Sequence, residues 1–393
     1  MKNELKNELT GNILPFWMNN MQDNEHGGFY GEIDGNNVLH PQANKGAVLN
    51  ARILWTFSAA YRLFQQPEYL AIAERAFQYI QDYFIDKTYG GVYWELDYKG
   101  QPVNTKKQTY AQGFALYGFS EFYRATGNEQ ALELAKDFFF LLETCHDDEL
   151  GGYLEAYTQD WKPIEDVRLS DKDANEKKTM NTHLHVLEPY TNLYRIWKDE
   201  RVEKAQLRLI SIFTEQILDK QTHHLNLFFD EHWALKSSAV SYGHDIEAAW
   251  LLYEAAEVLG DERLLNNIKT ISLQIADAAA EGLQPDGSMI YEFSPLSFRR
   301  GAEGEKDADR HWWVQAETVV GYMYAYKISG DAAYKEKSER AWRYIQDKIV
   351  DKENGEWFWS RKAAGSINHV DDKAGFWKCP YHNSRMCMEL ITN

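Results

Sequence analysis

Apolar residues recur every three to four positions along most of the chain, which predicts amphipathic helices. These helices come in pairs. The apolar pattern from Lys45 to Phe64 ends at the breaker "QQP" and resumes from Pro67 to Phe84. The same two-helix unit begins again near Gln108, Asn181, Ser241 and Trp312. One further helix is left over at each end of the chain, so the pattern predicts twelve helices.

Short turn-and-strand segments separate the helical pairs. The clearest are "DNEHGGFYGEIDG", "DKTYGGVYWELDYKG" and "DDELGGYLEAYTQDW", which begin at Asp23, Asp86 and Asp147. Weaker copies begin at Asp219, Glu281 and Asp351. Each copy joins a Gly, Asn or Asp turn to alternating aromatic and polar residues, which predicts a small β-hairpin.

The two helices of each pair differ in composition. The second is richer in Lys, Glu and Asp and should face solvent, whereas the first is richer in Ala, Gly and large apolar residues and should face inward. This burial pattern predicts an all-α fold, an (α/α)6 barrel of six inner and six outer helices with short β-hairpins in the connecting loops. No Pro- or Ser-rich linker interrupts the sequence, so we expect one catalytic domain over residues 1–393.

Charge and cysteine content exclude several classes of partner. The chain has 60 acidic and 42 basic residues, a formal charge of −18 that repels nucleic acid and anionic membrane surfaces. Its cysteines, Cys145, Cys379 and Cys387, form no C-x-x-C motif or disulfide framework. The amino terminus lacks the apolar core of a secretion signal, and no segment has the length of a membrane span. We therefore expect a cytoplasmic protein, a monomer, that acts on a small molecule.

Unusual residues gather where the inner helices begin. If these helices are parallel, their first turns meet at one end of the barrel, whereas an ordinary helix start needs only a capping residue. We therefore expect a functional pocket there, covered by the polar loops 164–180 and 294–311. The residues at these helix starts are Asn50 and Arg52, Gln108 and Tyr110, Asn181, His183 and His185, His244, Glu247 and Trp250, Trp312, Trp313 and Glu317, and Tyr381, His382 and Arg385.

Two histidine pairs can be interpreted from their spacing. His183 and His185 lie two residues apart, so their side chains point about 200° apart on a helix, which is unsuitable for a two-histidine metal site. His185 shares a helix face with Asn181 and is assigned to the pocket, while His183 is expected to be a packed neighbour. His223 and His224 lie in a predicted hairpin turn and are expected to be solvated.

His244 and Glu247 are three residues apart, close enough on a helix for the carboxylate to fix the tautomer of the imidazole and raise its basicity. Such a pair is also common on ordinary helix surfaces. Its expected position at the end of the barrel, opposite His382, favours a catalytic role.

Several of these segments resemble one enzyme family. The chain is similar to the N-acylglucosamine 2-epimerase superfamily, and within it most closely to the cellobiose 2-epimerase branch, from about Trp17 to Glu389. The matching segments are "NARILWTFSAAYRL", "NTHLHVLEPYTNLYR", "GHDIEAAWLLYEAA", "HWWVQAE" and "WKCPYHNSRMC". The resemblance implies cofactor-independent epimerisation at C2 of the reducing-end glucose of β-1,4-linked disaccharides, through ring opening and a cis-enediolate. No cofactor and no metal ion are expected.

The resemblance also implies roles for individual residues. The acid/base histidines fall on His244 in "GHDIE" and His382 in "PYHN". His185 is the third implied catalytic residue. The implied ring-opening and hydroxyl-binding groups are Asn181, His185, Arg52 and Tyr110, the supporting carboxylates are Glu247 and Glu317, and the aromatic walls are Trp250, Trp313 and Trp377. Which of Trp312 and Trp313 stacks on the sugar stays open, since adjacent helical residues point about 100° apart.

This chemistry suits the residues. A C2 proton must leave and another must return to the opposite face, and imidazole, with an ordinary pKa near 6.5, serves as base or acid near neutral pH. Arg52 is placed to stabilise the negative charge that builds on the carbonyl oxygen. The sequence has no Gly-rich dinucleotide fingerprint and no recognisable histidine metal motif.

Other functions fit parts of the pattern. A mannose isomerase or an N-acylglucosamine 2-epimerase would share the enediolate chemistry, although "WKCPYHN" favours the disaccharide epimerase. An inverting glycoside hydrolase could use Glu247 and Glu317 but would leave His244 and His382 without a role. A sugar-binding protein without catalysis would need only the aromatic residues, which also fill large protein cores.

Overall fold

The computed structural model describes residues 1–170, 173–294 and 305–392. Most of this chain is helical. In chain order the α-helices are α1 (Lys2–Glu8), α2 (Leu14–Asn20), α3 (Ala47–Phe64), α4 (Pro67–Tyr79), α5 (Thr109–Thr126), α6 (Glu129–Glu143), α7 (Met180–Ile196), α8 (Glu200–Ile212), α9 (Tyr242–Leu259), α10 (Glu262–Ala279), α11 (Trp312–Ser329), α12 (Ala332–Tyr344) and α13 (Tyr381–Thr392). A π-helical turn, Leu9–Ile13, joins α1 to α2, so these two form one bent helix.

Four outer helices, α4, α8, α10 and α12, continue into a turn of different pitch. Helices α4, α8 and α12 end in π-helical turns, and α10 ends in a 3₁₀ turn. These turns are Ile80–Phe84, Phe213–Ile217, Ile345–Ile349 and Ala280–Gly282.

Alternate helices form a closed inner ring. Helix α3 packs against α5, α5 against α7, α7 against α9, α9 against α11, α11 against α13, and α13 returns to α3. Each inner helix also packs against an outer one: α3 on α4, α5 on α6, α7 on α8, α9 on α10, α11 on α12 and α13 on α1. The predicted (α/α)6 barrel, closed by its two ends, is confirmed.

Burial separates the two rings as the composition predicts. Helix α3 is buried at every position from Ala47 to Ala60, whereas the buried residues of α8 form one stripe that includes Val202, Ala205 and Leu209. An inner helix is covered on all sides by its neighbours and an outer helix on one side, so the inner helices are apolar around most of their surface.

The connecting loops contain very short antiparallel strands. They pair as β1–β2–β3, β8–β9–β10, β4–β5, β6–β7 and β11–β12. The strands are β1 (Lys45–Gly46), β2 (Glu95–Leu96), β3 (Pro102–Asn104), β4 (Lys107–Gln108), β5 (Ala156–Tyr157), β6 (Lys178–Thr179), β7 (Phe228–Phe229), β8 (Val240–Ser241), β9 (Glu292–Ser294), β10 (Glu305–Asp307), β11 (Arg310–His311) and β12 (Ser360–Arg361).

The repeated turn anchors the start of the next inner helix. In the second copy, Asp86 Oδ1 accepts the backbone N–H groups of Thr88 and Tyr89, and Oδ2 accepts a hydrogen bond from Lys107 Nζ at 2.9 Å. Lys107 lies two residues before α5 and is fully buried. Burial raises the pKa of Asp86, but Lys107 and the N–H donors outweigh this and lower it to about 2. Equivalent pairs join Asp23 to Lys45 and Asp147 to Lys178.

The hairpin of His223 and His224 differs from the sequence prediction. His224 is buried, with Nδ1 2.7 Å from Asp245 Oδ2, so the expectation that it is solvated is wrong. The turn packs onto the first turn of α9, where Asp245 also accepts the N–H of Leu225 at 2.9 Å. Among the described residues, no helix combines the length and the apolar character that crossing a lipid bilayer requires.

Candidate active site

Two histidines from different helices lie close to one indole ring. The ring centroid of Trp313, at the start of α11, is 4.7 Å from that of His244 on α9 and 5.6 Å from that of His382 on α13. The two imidazoles are therefore separated by no more than the sum of these distances. We call the region around these two histidines and His185, which is an electrostatic neighbour of His244, the central pocket. It lies at the amino-terminal ends of the inner helices, where the sequence predicts it.

His382 is held by a carboxylate on the neighbouring inner helix. Its Nδ1 lies 2.7 Å from Glu317 Oε1. An ionised carboxylate can only accept, so Nδ1 carries a proton and the lone pair of the neutral ring is on Nε2. His382 is 5 % exposed, so Glu317 fixes both the orientation and the tautomer of an almost buried imidazole.

His185 is oriented in the same way. Its Nδ1 lies 2.6 Å from Glu188 Oε1, one helical turn along α7. The ring packs against Tyr110 and Phe114, with centroid distances of 5.0 Å to each. Glu188 therefore contacts Nδ1 of His185 and not Nε2, as Glu317 does at His382.

The partner of His244 is a hydroxyl group. Its Nδ1 lies 2.7 Å from Ser241 Oγ, just before α9. The expectation that Glu247 fixes its tautomer is wrong, because Glu247 points toward α13, where it accepts a hydrogen bond from Arg385. A hydroxyl group donates as well as accepts, so His244 has access to both neutral tautomers, unlike His382.

Arg385 lies at the centre of three buried carboxyl groups. Its Nη2 donates to Glu247 Oε1 at 2.5 Å and to Glu317 Oε1 at 2.7 Å, and its Nη1 donates to Glu188 Oε2 at 2.5 Å. Glu247, Glu317 and His382 offer ligand atoms within 4.8 Å of one another, but the guanidinium already supplies positive charge at this position.

Glu247 and Glu317 respond differently to burial. Burial and the neighbouring Glu317 raise the pKa of Glu247 well above its ordinary value. Burial acts against the ionised form of Glu317 too, but Arg385 and His382 outweigh it and lower its pKa to about 2. Of the two, Glu317 is therefore the group held as a carboxylate, whereas the surroundings of Glu247 disfavour its ionised form.

Burial also changes the imidazoles. It lowers the pKa of both His244 and His382 to about 3, with Glu317 partly opposing the effect at His382. The pKa of His185 is lowered well below its ordinary value by burial and by Arg52 and Arg385. These shifts favour the neutral form of each imidazole near pH 7, and a neutral imidazole has one ring nitrogen with a lone pair that can accept a proton.

Arg52 and Tyr110 form a donor pair at one side of the central pocket. Arg52 Nη2 donates to Tyr110 Oη at 2.8 Å, and Nη1 lies 3.6 Å from Cys379 Sγ. The guanidinium stacks on the rings of Phe114 and Tyr381, 4.2 and 4.9 Å from their centroids. These rings hold the cation in place without neutralising it.

The tryptophans divide into pocket and core residues. Trp313 is partly exposed and lies beside both histidines, whereas Trp312 is buried against Trp359 at 4.6 Å, so Trp313 is the residue available for stacking. Trp377 lies 6.0 Å from the ring of Tyr110 and is partly exposed. Trp250 is 1 % exposed and donates its Nε1–H to Glu317 at 2.9 Å, so it supports a carboxylate instead of forming an open wall.

Asn181 and His183, the other two candidate residues of the "NTHLH" segment, lie in different surroundings, as their spacing predicts. Asn181 lines a cavity together with His244, Ser241 and Tyr291. His183 is buried elsewhere: its Nδ1 is 2.6 Å from the carbonyl oxygen of Thr179, and its Nε2 accepts the N–H of Tyr153 at 2.9 Å. The expectation that it is a packed, hydrogen-bonded neighbour is confirmed.

One of the two expected covering loops lies beside the central pocket. Val167, Arg168 and Asp173, from the loop 164–180, line the same cavity as His244. Most of the other loop, residues 295–304, lies outside the described residues. His311, the last residue of the loop 294–311, stacks on Tyr291 with a ring-centroid distance of 4.2 Å and lies two residues before Trp313 in the sequence.

Three residues of the site were not assigned a role from the sequence. Ser241 and Glu188 each orient a histidine, and Arg385 joins the carboxylates. The spacing of His185 and Glu188 in "HVLE" carries the same three-residue signal as that of His244 and Glu247, so Glu188 could have been found. Nothing in the sequence marks Ser241 as different from an ordinary helix-capping serine.

Comparisons with known proteins agree with this geometry. Residues 28–385 match the family model of N-acylglucosamine 2-epimerase. The chain is 57 % identical to the cellobiose 2-epimerase of Bacteroides fragilis over 392 residues, covering 100 % of this chain and 98 % of that protein. A solved cellobiose 2-epimerase from Bacillus thermoamylovorans superposes with a TM-score of 0.93 at 41 % identity, covering 100 % of this chain and 98 % of the other.

More distant relatives carry the names of the alternative functions. A D-mannose isomerase from Marinomonas mediterranea is 20 % identical over 93 % of this chain and 91 % of its own length. The extent of the family match and the identity to full-length relatives establish the family. The chain belongs to the N-acylglucosamine 2-epimerase family.

Proposed function

We propose that this protein is a cellobiose 2-epimerase, an isomerase that inverts C2 of the reducing-end glucose of β-1,4-linked disaccharides, converting cellobiose to glucosyl-mannose and lactose to epilactose. The observation that carries the proposal is that His244 and His382, from different inner helices, both lie beside Trp313, with ring-centroid distances of 4.7 and 5.6 Å. Inversion of a single carbon needs two such groups, one for each face of the carbon.

The first step is opening of the sugar ring, to which we assign His185 and Asn181. His185 has its Nδ1 bound to Glu188, so Nε2 is available to move a proton between the ring oxygen and the anomeric hydroxyl group. Opening exposes the C1 aldehyde, which acidifies the C–H bond at C2.

Proton transfer at C2 needs one imidazole with a lone pair on Nε2 and one that carries a proton there. One of His244 and His382 removes the C2 proton and leaves a cis-enediolate. The other returns a proton to the opposite face, after which the ring closes. In the reverse reaction the two histidines exchange roles. Glu317 stabilises the imidazolium form of His382, because the carboxylate contacts Nδ1 at 2.7 Å.

The negative charge of the enediolate lies on the oxygens of C1 and C2. Arg52 is assigned to this charge, with Tyr110 fixing the guanidinium at 2.8 Å. A preorganised donor stabilises the transition state more than the ground state, and losing one costs about 3 kcal/mol, a hundredfold or more in rate. Trp313 and Trp377 are assigned as aromatic walls for the sugar, and Trp250 and Glu247 as supports beneath the central pocket.

The wider setting is part of the proposal. We assign residues 1–393 to a single catalytic domain, supported by the packing of α1 on α13, which joins the two ends of the chain. We place the enzyme in the cytoplasm, supported by three buried free cysteines, Cys145, Cys379 and Cys387, and we expect it to be a monomer. The reaction as assigned uses only side chains of this chain.

An inverting hydrolase fits the geometry poorly. Oxygens of Glu247 and Glu317 lie within 4.8 Å of each other, whereas inverting enzymes separate their carboxyl groups by about 6.5 to 9.5 Å to admit a water molecule. Both carboxyl groups are also fully buried and bound to Arg385. The alternatives that remain are the mannose isomerase and the N-acylglucosamine 2-epimerase of the same family.

Incubation with cellobiose, lactose, mannose and N-acetylglucosamine in deuterated water, followed by NMR, distinguishes these activities. We expect glucosyl-mannose and epilactose with deuterium at C2. Fructose from mannose with both disaccharides unchanged would replace the proposal with the isomerase. N-acetylmannosamine as the product would replace it with the N-acylglucosamine 2-epimerase.

A further inference from the structure

We propose that Arg385 and Glu188 are positioning residues of this enzyme, and that one guanidinium group holds the ring-opening His185 and the acid/base His382 in the same tautomer. The inference rests on the proposed function for its catalytic meaning. The arrangement of hydrogen bonds on which it depends is independent of the substrate.

A continuous chain of charged contacts joins the two imidazoles. His185 Nδ1 lies 2.6 Å from Glu188 Oε1, and Glu188 Oε2 accepts from Arg385 Nη1 at 2.5 Å. Arg385 Nη2 donates to Glu317 Oε1 at 2.7 Å, and the same oxygen lies 2.7 Å from His382 Nδ1. Each histidine is therefore linked to Arg385 through one carboxylate.

The whole chain is shielded from water. Arg385 is 1 % exposed, and Glu188 and Glu317 have fully buried side chains. The guanidinium also stacks on Trp250 and Tyr381, 4.8 and 4.4 Å from their ring centroids. Burying charged groups carries a desolvation cost, and an apolar core of similar volume is often as stable, so stability alone does not explain the cluster.

As a carboxylate, the form that Arg385 stabilises against burial, Glu188 can serve His185 in only one way. Its Oε2 accepts from both Arg385 and the hydroxyl group of Tyr381, so this atom has to be an acceptor. The other oxygen, Oε1, is left to accept the Nδ1 proton of His185. Nε2 of His185 then has the lone pair, as at His382.

An arginine is needed at the centre of the chain. The planar guanidinium presents Nη1 and Nη2 in a fixed fork, and here the two nitrogens bind carboxylates on two different helices, α7 and α11. A lysine ammonium group is a compact point charge and would hold one of these carboxylates in this geometry, which would leave the other histidine unoriented.

The experiment compares two variants with a matched control. In Glu188→Gln, Arg385 and Tyr381 keep the side-chain oxygen, so the amide NH₂ turns to His185 Nδ1 and forces the opposite tautomer. In Arg385→Lys, the fork is removed. The control is Glu254→Gln. Glu254 lies on the same inner helix as His244, and its carboxylate accepts a hydrogen bond from Arg195 at 2.9 Å.

The first readout is the tautomer of each histidine, from long-range ¹H–¹⁵N NMR of the ligand-free, full-length protein with ¹⁵N-labelled histidine. In the unmodified protein we expect His185 and His382 to be protonated at Nδ1. Glu188→Gln should move His185 to the Nε2-protonated form, Arg385→Lys should change His185, His382 or both, and Glu254→Gln should change neither. His185→Gln and His382→Gln assign the signals.

The second readout is turnover. We expect kcat on cellobiose to fall about a hundredfold in Glu188→Gln and Arg385→Lys with KM changed by less than about threefold, because these variants disturb orientation and not sugar binding. Glu254→Gln should keep its kcat.

Several outcomes overturn the inference. Nε2-protonated His185 or His382 in the unmodified protein does so directly, as do unchanged tautomers in folded Glu188→Gln. If Arg385→Lys does not fold, Glu188→Gln decides. A protein that shows the expected tautomers but leaves every disaccharide unchanged refutes the proposed function and leaves the positioning network intact.

Discussion

Replacing His382 with Asn should remove the reaction while leaving the barrel folded. The Nδ2 group of Asn occupies nearly the position of Nδ1 and keeps the donated hydrogen bond to Glu317, which is 2.7 Å in the structure. The substitution removes the packing of the distal ring atoms against Trp313 and Tyr381. We expect the free energy of unfolding to fall by about 1 kcal/mol, the usual size for a substitution that keeps its buried polar contact.

The effect on rate should be much larger. General acid–base catalysis contributes roughly 10² to 10⁴-fold, so kcat should fall about a thousandfold, which corresponds to about 4 kcal/mol of transition-state stabilisation. The assay is initial-rate epimerisation of cellobiose by NMR, with thermal and urea unfolding measured in parallel.

The control is His183→Asn, a substitution of the same kind on α7. His183 is buried too, but its two ring nitrogens contact the backbone of Thr179 and Tyr153. Asn can satisfy one of these contacts, so the variant should lose about 1 to 3 kcal/mol of stability and keep its kcat. Near-normal turnover of folded His382→Asn, or equal reductions of kcat in both variants, would refute the reasoning.

Three further predictions follow from single contacts. Arg52→Lys should lower kcat about a hundredfold with little change in KM, because it removes one preorganised donor to the enediolate. A rise of about a hundredfold in KM would instead assign Arg52 to binding of the substrate in the ground state. Trp313→Ala should raise KM for cellobiose roughly tenfold, as expected for a stacking surface, whereas Trp312→Phe should alter thermal stability and leave KM unchanged. Asp86→Asn should lower the free energy of unfolding by about 3 kcal/mol, because it leaves the buried ammonium group of Lys107 without its carboxylate partner. The pKa of Asp86 is lowered to about 2 in the folded protein, so the stability that its carboxylate contributes is present above the ordinary pKa near 3.8 and is lost as the pH falls toward 2. Urea unfolding of the unmodified protein and of Asp86→Asn from about pH 7 to 2.5 should show the difference in unfolding free energy shrinking. A difference that stays constant over this range would contradict the assignment.

The fold was readable from the sequence because each helical pair repeats the same contrast. Inner helices such as α3 are apolar on every side, and outer helices such as α8 have one apolar stripe. The repeated turn was also readable, but its physical role was not: the partner of Asp86 is Lys107, which belongs to the next unit and is identified only by its buried position in space.

The sequence predicts which residue types form the site and at which helix ends they lie, but it does not predict which side chains pair with one another. His244 and Glu247 have the right spacing for a pair, yet the pairing found in the structure is Glu247 with Arg385 and His244 with Ser241. A three-residue spacing fixes which side chains share a helix face, whereas the direction of a buried carboxylate is decided by the nearest cation, here one on α13. The burial of His224 was missed for the same reason, since its carboxylate partner lies on another element.

The central claim is that His244 and His382 act on opposite faces of C2. It is tested most directly by hydrogen exchange at C2 in deuterated water, with His244→Asn and His382→Asn each supplied separately with cellobiose and with glucosyl-mannose. Each variant keeps one imidazole, so each should exchange the C2 proton of one epimer without forming the other, and the two variants should act on opposite epimers. Exchange of both epimers by either folded variant, or continued epimerisation, would contradict the account.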